Sequence, residues 1–284
     1  MFQENSQHTI MTQVHPNAKI NIGLNIVERR PDGYHNIETI FYPISLHDTL
    51  EMETDNMHDT ECSLTIDGNP IEGEIEDNLV IKAYRLLAKD FTLPPVAFRL
   101  HKNTPTGAGL GGGSADAAFT LRMLNKTFQL GLTEHQLEDY AVRLGADCPF
   151  FVRNTPVFAT GIGNIFTPIN ISLKGLYLVL VKPDVFVSTR DAYAAVKPQR
   201  PQIALPDLIT LPIEEWRNKV VNDFETSVFP KFPEIKAVKD RLYDLGAAYA
   251  SMSGSGSSVF GLFRNKTIIN PNDFKGCFVH TEML

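Results

Sequence analysis

The sequence has few cysteines and no long apolar run, and both absences narrow the class of protein. Its 284 residues include three cysteines, which are widely spaced and form no C-x-x-C pair. We therefore expect no disulfide framework and no cysteine metal site, as is usual in the reducing cytoplasm. No apolar run approaches the ~18 residues that a membrane-spanning helix needs, so we expect no membrane segment.

The sequence also contains fewer basic than acidic residues. Lysine and arginine total 26 against 33 aspartate and glutamate residues, for a net charge of −7. Because no run of basic residues offsets this balance, we expect no nucleic-acid partner. The first seventeen residues lack the layout of a signal peptide and the arginine-rich character of a transit peptide, so we expect neither.

The pattern of strands and helices predicts an α+β fold with mixed or antiparallel sheets, because strands outnumber those of a pure βαβ pattern. Residues 18–26, AKINIGLNI, alternate as a strand that places Lys19 and Asn21 on one face. The pattern changes after about residue 165. We expect an N-terminal domain over residues 1–165 and a C-terminal domain over residues 166–284.

A glycine-rich segment, PTGAGLGGGSADAAF, occupies residues 105–119 and leads directly into a helical pattern. Five of the nine residues from Pro105 to Gly113 are glycines. Such a loop can be a plain turn, a dinucleotide fingerprint or a cradle for a nucleotide triphosphate. The fingerprint fits poorly, because several strands precede the loop and no strand end with an acidic residue follows about 20 residues later.

The triphosphate cradle is the interpretation that explains why a helix begins directly after the glycines. Backbone N–H groups and the helix N-terminus can face phosphate oxygens, and the Ser114 hydroxyl can meet phosphate or Mg²⁺. No G-K-[ST] follows the glycines, so the loop is not a Walker A motif. The cation must come from elsewhere, and Lys19 and Lys102 are the candidates.

Several segments together resemble the GHMP kinase superfamily. The glycine loop resembles its phosphate-binding motif, AKINIGLNIVERRPDGYHNIETIF its first motif, GADCPFFV its catalytic loop and SMSGSGSSVFGLF its third motif. The segments occur in the order of the family between about residues 17 and 263. The resemblance implies a two-domain GHMP fold. The implied reaction is ATP-dependent phosphorylation of a hydroxyl on a cytidine-diphosphate-linked polyol, with Mg²⁺, in isoprenoid precursor synthesis.

The resemblance also implies catalytic roles for two residues. Asp147, just past a predicted helix end, becomes the catalytic aspartate, although an aspartate there is also an ordinary turn residue. Lys19 becomes the cation that stabilises charge during transfer, although a strand lysine is more often a solvated surface residue. Whether the aspartate removes the proton or positions the hydroxyl stays open.

The binding residues come from the same resemblance. Those implied for ATP are Asn78, Lys102, Pro105, Gly107, Gly109, Leu110, Gly111, Gly112, Gly113 and Ser114, and Ser114 is also the candidate metal ligand. Those implied for the acceptor are Asn21, Tyr34, His35, Asp147, Thr189, Tyr193, Gly254 and Ser255. A related kinase for homoserine or mevalonate, or a nucleotide-binding module without turnover, remains an alternative. The aromatic residues argue against a small acceptor.

Overall fold

The computed structural model describes residues 11–54 and 61–284, and this part of the chain is built from strands and mostly short helices. The strands are β1 Met11–Val14, β2 Asn17–Arg29, β3 His35–His47, β4 Thr49–Thr54, β5 Cys62–Gly68, β6 Val96–Lys102, β7 Val157–Thr160, β8 Ile165–Pro168, β9 Tyr177–Lys182, β10 Tyr249–Met252, β11 Val259–Phe263 and β12 Phe278–Met283. The helices are α1 Leu79–Ala88, α2 Gly112–Thr127, α3 Glu134–Ala141, α4 Phe150–Arg153, α5 Thr189–Tyr193, α6 Leu205–Leu208, α7 Glu225–Val228 and α8 Pro233–Asp244, with 3₁₀ turns at Ile75–Asp77 and Ile213–Asn218.

The strands form three four-stranded sheets, which confirms the predicted α+β class. Their orders are β1-β4-β6-β5, β2-β3-β7-β8 and β10-β11-β9-β12. The pairings β1–β4, β4–β6 and β9–β11 are antiparallel, whereas β5 runs parallel to β6. None of the helices in residues 11–54 and 61–284 is long and apolar enough to cross a membrane.

The chain divides into two compact units that interleave along the sequence. Unit 1 takes the described residues of Met1–Pro16, His47–Asn103 and Gly113–Val152, and unit 2 takes Asn17–Leu46, Thr104–Gly112 and Arg153–Leu284. Unit 1 therefore contains the sheet β1-β4-β6-β5, and unit 2 contains β9 to β12 and most of the sheet that includes β2. The predicted domain boundary at residue 165 stays a prediction.

Strand β2 is buried on both faces over most of its length, although its sequence alternates apolar and polar residues. Ile20, Ile22 and Ile26 are inaccessible to solvent, and Lys19 and Asn21 on the other face are only 3% and 2% exposed. Burial of polar groups is tolerated where they are hydrogen-bonded. The polar face of β2 is therefore lined by partners, and the alternative interpretation of Lys19 as a solvated surface residue does not hold.

Local capping fixes the helices that carry predicted site residues. The Asn78 side chain accepts a hydrogen bond from the Val80 N–H at 2.9 Å and so begins α1. Thr133 and Gln136 form a capping box that begins α3. Helix α3 ends at Ala141, and a turn follows.

Candidate active site

Lys19 lies at the centre of a polar cluster in unit 2. Its ammonium donates to the Asn21 Oδ1 at 2.5 Å and to the Gly109 carbonyl at 3.2 Å, and it lies 4.8 Å from the centroid of the Phe41 ring. The Lys19 backbone N–H also donates to the Leu110 carbonyl at 2.9 Å. Strand β2 and the glycine loop therefore meet at the lysine that the sequence singled out.

Gly109 allows the glycine loop to pack against the loop between β10 and β11, at residues 253–258. A Cβ at Gly109 would lie 2.1 Å from the Ser253 carbonyl oxygen, and the backbone φ of +76° favours glycine. The Ser253 hydroxyl donates to the Gly109 carbonyl at 2.9 Å. A Cβ at Gly254 would in turn lie 3.3 Å from the Asn21 Oδ1. The two Gly-rich loops and the polar face of β2 thus form one contact cluster.

The conformation of the glycine loop suits an anion. Gly107, Gly109 and Gly111 have positive φ at alternate positions, a backbone pattern found in loops whose N–H groups converge on anions. Helix α2 begins immediately afterwards, at Gly112, and a helix N-terminus favours negative charge. This backbone geometry is compatible with the phosphate cradle that the sequence predicts, and phosphate binding stays a prediction.

Two aromatic residues from distant parts of unit 2 are in direct contact. The His35 ring stacks on the Tyr193 ring with centroids 4.7 Å apart and an interplanar angle of 20°. The Phe224 ring packs edge-on against Tyr193, also at 4.7 Å. Burial, followed by the charge of Arg29, lowers the pKa of His35. Both influences disfavour the charged form of the imidazole.

Two further predicted acceptor residues flank this pair in the sequence. Tyr34 ends the Pro-Asp-Gly turn and is 63% exposed, so its ring is available at the surface. Thr189 is the first residue of α5, the helix that ends with Tyr193. The Ser188 side chain caps this helix by accepting from the Asp191 N–H at 3.0 Å. The segments around His35 and Tyr193 are thus held by local turn and cap interactions.

In unit 1, Asp147 and Ser114 both lie close to the buried thiol of Cys148. Burial raises the pKa of Cys148 to about 11, a hydrogen bond with Ser114 opposes this shift, and the charge of Asp147 adds to it. Asp147 is half-buried in the turn between α3 and α4 and is followed by buried residues. Asp147, predicted to be the catalytic aspartate, and the Ser114 hydroxyl at the start of α2 therefore both lie near Cys148.

Lys102 occupies a buried ion cluster in unit 1, with an ammonium held by the carboxylates of Asp48 and Asp116. The distance to the Asp116 Oδ2 is 2.8 Å, and all three side chains are almost completely buried. Burial lowers the pKa of Lys102, but the two aspartates outweigh burial and raise it. Burial raises the pKa of Asp116 to about 7 despite the attraction of Lys102. Contact of Lys102 with a nucleotide stays a prediction.

The metal prediction rests on Ser114 alone. Within the described residues, no group of three or more histidine, cysteine, aspartate or glutamate side chains could hold a metal ion. A hydroxyl at a helix start still suits Mg²⁺, which commonly binds through few protein ligands together with substrate phosphates. The donor chemistry of Ser114 therefore fits a metal that arrives with the nucleotide.

Sequence reasoning missed several residues that complete the unit 2 cluster. Thr39 accepts from the Asn21 amide at 3.0 Å and fixes its orientation. Phe186, which is 69% exposed, lies against the glycine loop, where a Cβ at Gly107 would be 2.8 Å from its ring. Asn222 binds the loop at residues 253–258 through the Gly254 carbonyl. The segment NDFE at residues 222–225 was a visible signal for Asn222, but it carried no assigned chemistry.

Comparison with known proteins identifies the class that this fold and these glycine-rich loops define. Residues 78–155 match the family model for the GHMP kinases N terminal domain, and residues 205–270 match that for GHMP kinases C terminal. A homoserine kinase from Cytophaga hutchinsonii shares the fold with a TM-score of 0.61 over 99% of this chain and 96% of that chain, at 17% identity. The protein is a GHMP kinase.

Closer relatives narrow the class. A 4-diphosphocytidyl-2-C-methyl-D-erythritol kinase of Bacteroides fragilis is 58% identical over 263 residues, which cover 93% of this chain and 96% of the relative. A crystal structure of a 4-(cytidine 5'-diphospho)-2C-methyl-D-erythritol kinase superposes with a TM-score of 0.77 and 31% identity, covering 95% of this chain and 98% of that chain. This chain belongs to the 4-diphosphocytidyl-2-C-methyl-D-erythritol kinase family.

Proposed function

We propose that this protein transfers the γ-phosphoryl group of ATP to the 2-hydroxyl of 4-diphosphocytidyl-2-C-methyl-D-erythritol. The products are the 2-phosphate and ADP, and the reaction belongs to the non-mevalonate route to isoprenoid precursors. The stacked pair of His35 and Tyr193 carries this choice of acceptor. Homoserine and mevalonate have no ring to stack, whereas a cytosine offers both a π face and a polar edge.

The cytidine end of the acceptor is assigned to the aromatic cluster. Tyr193, supported by Phe224, contributes a stacking surface, and the His35 ring contributes polar nitrogens for the base edge. Tyr34 and Thr189 complete this end of the site. Because stacked rings at 4.7 Å leave no space between them, the base stacks on an outer face of the pair or separates it.

The nucleotide end is assigned to the glycine loop. Alternating positive φ values and the N-terminus of α2 support binding of the ATP phosphates along residues 105–114. Gly254 and Ser255 on the neighbouring loop support the acceptor diphosphate. Asn78 is assigned to the adenine side and keeps its role as the cap of α1.

Phosphoryl transfer requires positioning and charge stabilisation more than covalent participation. Lys19 stabilises charge that develops on the transferred group, and Asn21, which accepts a hydrogen bond from Lys19, fixes its direction. Asp147 accepts or orients the proton of the acceptor hydroxyl. Ser114, together with the phosphates of ATP, would hold Mg²⁺, which would supply neutralisation of phosphate charge.

A coupled assay of ADP release tests the proposal directly. Purified protein and Mg-ATP are combined with the cytidine substrate, and homoserine and mevalonate serve as parallel acceptors. We expect ADP release that depends on the cytidine substrate. Turnover with homoserine or mevalonate instead would contradict the assigned acceptor, and ATP binding without any turnover would leave only a nucleotide-binding protein.

A further inference from the structure

The segment at residues 221–223 acts as a short additional strand beside β2. The Leu24 N–H donates to the Val221 carbonyl and the Asp223 N–H donates to the Leu24 carbonyl, both at 2.8 Å. The Asp223 carboxylate also accepts from the Ile26 N–H at 2.7 Å. These bonds fix the backbone of Asn222 relative to the strand that carries Lys19.

The Asn222 side chain uses both ends of its amide in a site that is 2% exposed. Its Nδ2 donates to the Met252 carbonyl at 2.8 Å and to the Gly254 carbonyl at 2.9 Å. Its Oδ1 accepts from the Phe224 N–H at 3.0 Å. Two carbonyls on one end and one N–H on the other determine the orientation of the amide.

Ser253, between the two carbonyls that Asn222 holds, passes this constraint to the predicted catalytic lysine. Its hydroxyl donates to the Gly109 carbonyl at 2.9 Å and accepts from the Asn21 N–H at 3.2 Å. The Gly109 carbonyl also accepts from the Lys19 ammonium at 3.2 Å. A path of hydrogen bonds, continued through the backbone of residues 252–254, therefore runs from Asn222 to Lys19.

We infer that Asn222 is a positioning residue for phosphoryl transfer, which holds the loop at residues 253–258 and, through Ser253 and Gly109, sets the position of Lys19. This inference rests on the proposed function. Its physical basis is that a displacement of about 1 Å at a reacting group can lower the rate by roughly a hundredfold. Asn222 acts through these partners and is therefore not a catalytic residue.

The two ends of the amide serve different parts of the site, and this allows a specific test. The Nδ2 end holds the loop beside Gly109, whereas the Oδ1 end holds the backbone of Phe224, whose ring packs on Tyr193. Asn222→Asp replaces the donors with an oxygen that faces the two carbonyls and keeps the acceptor for Phe224, and Asn222→Ala removes both ends. Asn272→Asp makes the same chemical change at an exposed position and is the matched control.

Steady-state kinetics on folded variants give the first measurement. We expect Asn222→Asp to lower kcat about tenfold or more and to leave KM for the cytidine substrate within about threefold. Asn222→Ala should lower kcat similarly and also raise that KM, because the support of Tyr193 is lost. The control should match the wild type. If folded Asn222→Asp keeps its kcat within about twofold, the inference is wrong.

Hydrogen exchange of the peptide spanning residues 253–258 gives a measurement that does not need turnover. We expect faster exchange in Asn222→Asp than in the wild type and in Asn272→Asp. If the wild type fails to use the cytidine substrate, the proposed function fails, and exchange alone decides the positioning role. Unchanged exchange in this peptide contradicts that role.

Ser253→Ala keeps the test decisive if Asn222→Asp does not fold. This variant removes the hydroxyl that joins the loop to Gly109 and leaves Asn222 intact. We expect the same loss of kcat with an unchanged KM for the cytidine substrate. An unchanged kcat in Ser253→Ala shows that the hydrogen-bond chain does not position Lys19, and it overturns the inference.

Discussion

The His35 ring lies almost parallel to the Tyr193 ring, at a centroid distance of 4.7 Å. The two residues come from the start of β3 and the end of α5, so tertiary structure alone joins them. Their contact provides a surface of aromatic and polar character at one place in unit 2. We propose that this pair selects the cytidine-bearing acceptor over a small acceptor without a ring.

Loss of the Tyr193 ring should weaken binding of the cytidine substrate selectively. Stacking of a base on an aromatic side chain contributes about 1–3 kcal/mol, so Tyr193→Ala should raise KM for this substrate by roughly 5- to 150-fold. KM for ATP should not change. Tyr193→Phe retains the ring and is the control. An equal rise of both KM values in Tyr193→Ala would indicate a packing role instead.

Removal of the Asp147 charge should stop the chemical step. Asp147→Asn keeps the size of the side chain but cannot accept the hydroxyl proton, so kcat should fall by about 10²–10⁴. The dissociation constant of ATP, measured by calorimetry, should stay within a few-fold. Asp139→Asn makes the same change on the exposed face of α3 and should keep its activity. A fully active Asp147→Asn would show that the assignment is wrong.

A side chain at Gly109 should disrupt the nucleotide site. In Gly109→Ala the added Cβ would lie 2.1 Å from the Ser253 carbonyl oxygen. Because both atoms are fixed to backbone, the clash can be relieved only by displacing one of the two loops. ATP affinity should therefore fall about tenfold or more. Gly276→Ala is the control, because Gly276 has a φ of +78° and open space around it. This variant therefore has the cost of positive φ without the clash. Equal ATP affinity in the two variants would indicate that the glycine loop has only a structural role.

The buried Lys102 should contribute strongly to stability. Lys102→Met leaves the Asp48 and Asp116 carboxylates without their cation, and breaking a buried ion pair in this way costs about 3–5 kcal/mol. Urea unfolding measures the loss. Lys82→Met removes an exposed lysine that pairs with Asp77 and should cost less than about 1 kcal/mol. Similar losses in both variants would contradict the importance of the buried cluster.

Asp116 should make stability depend on pH. Its pKa is about 7 in the folded protein and about 3.9 in an unfolded chain, so the folded state binds more protons between these values. The free energy of unfolding should therefore decrease as pH rises from about 4 to 7. Asp116→Asn should lack this component, which urea unfolding at several pH values would detect. An identical pH slope in both proteins would contradict the assignment.

The local pattern of the sequence was sufficient to predict the elements that carry the site. Alternation predicted strand β2 with Lys19 and Asn21 on one face, and the structure contains this strand. The glycine loop before α2 was equally visible. These features depend on neighbouring residues, whose spacing fixes backbone conformation directly.

Tertiary structure alone decided which residues surround these elements. The burial of Lys19, the contact of His35 with Tyr193, and the bond from Asn222 to the Gly254 carbonyl all join distant parts of the chain. Nothing in the local pattern encodes such pairs, because they depend on how the sheets pack and where the loops meet. The sequence by itself thus determined the elements and the class of chemistry, and the packing of the folded chain determined the partners of each side chain.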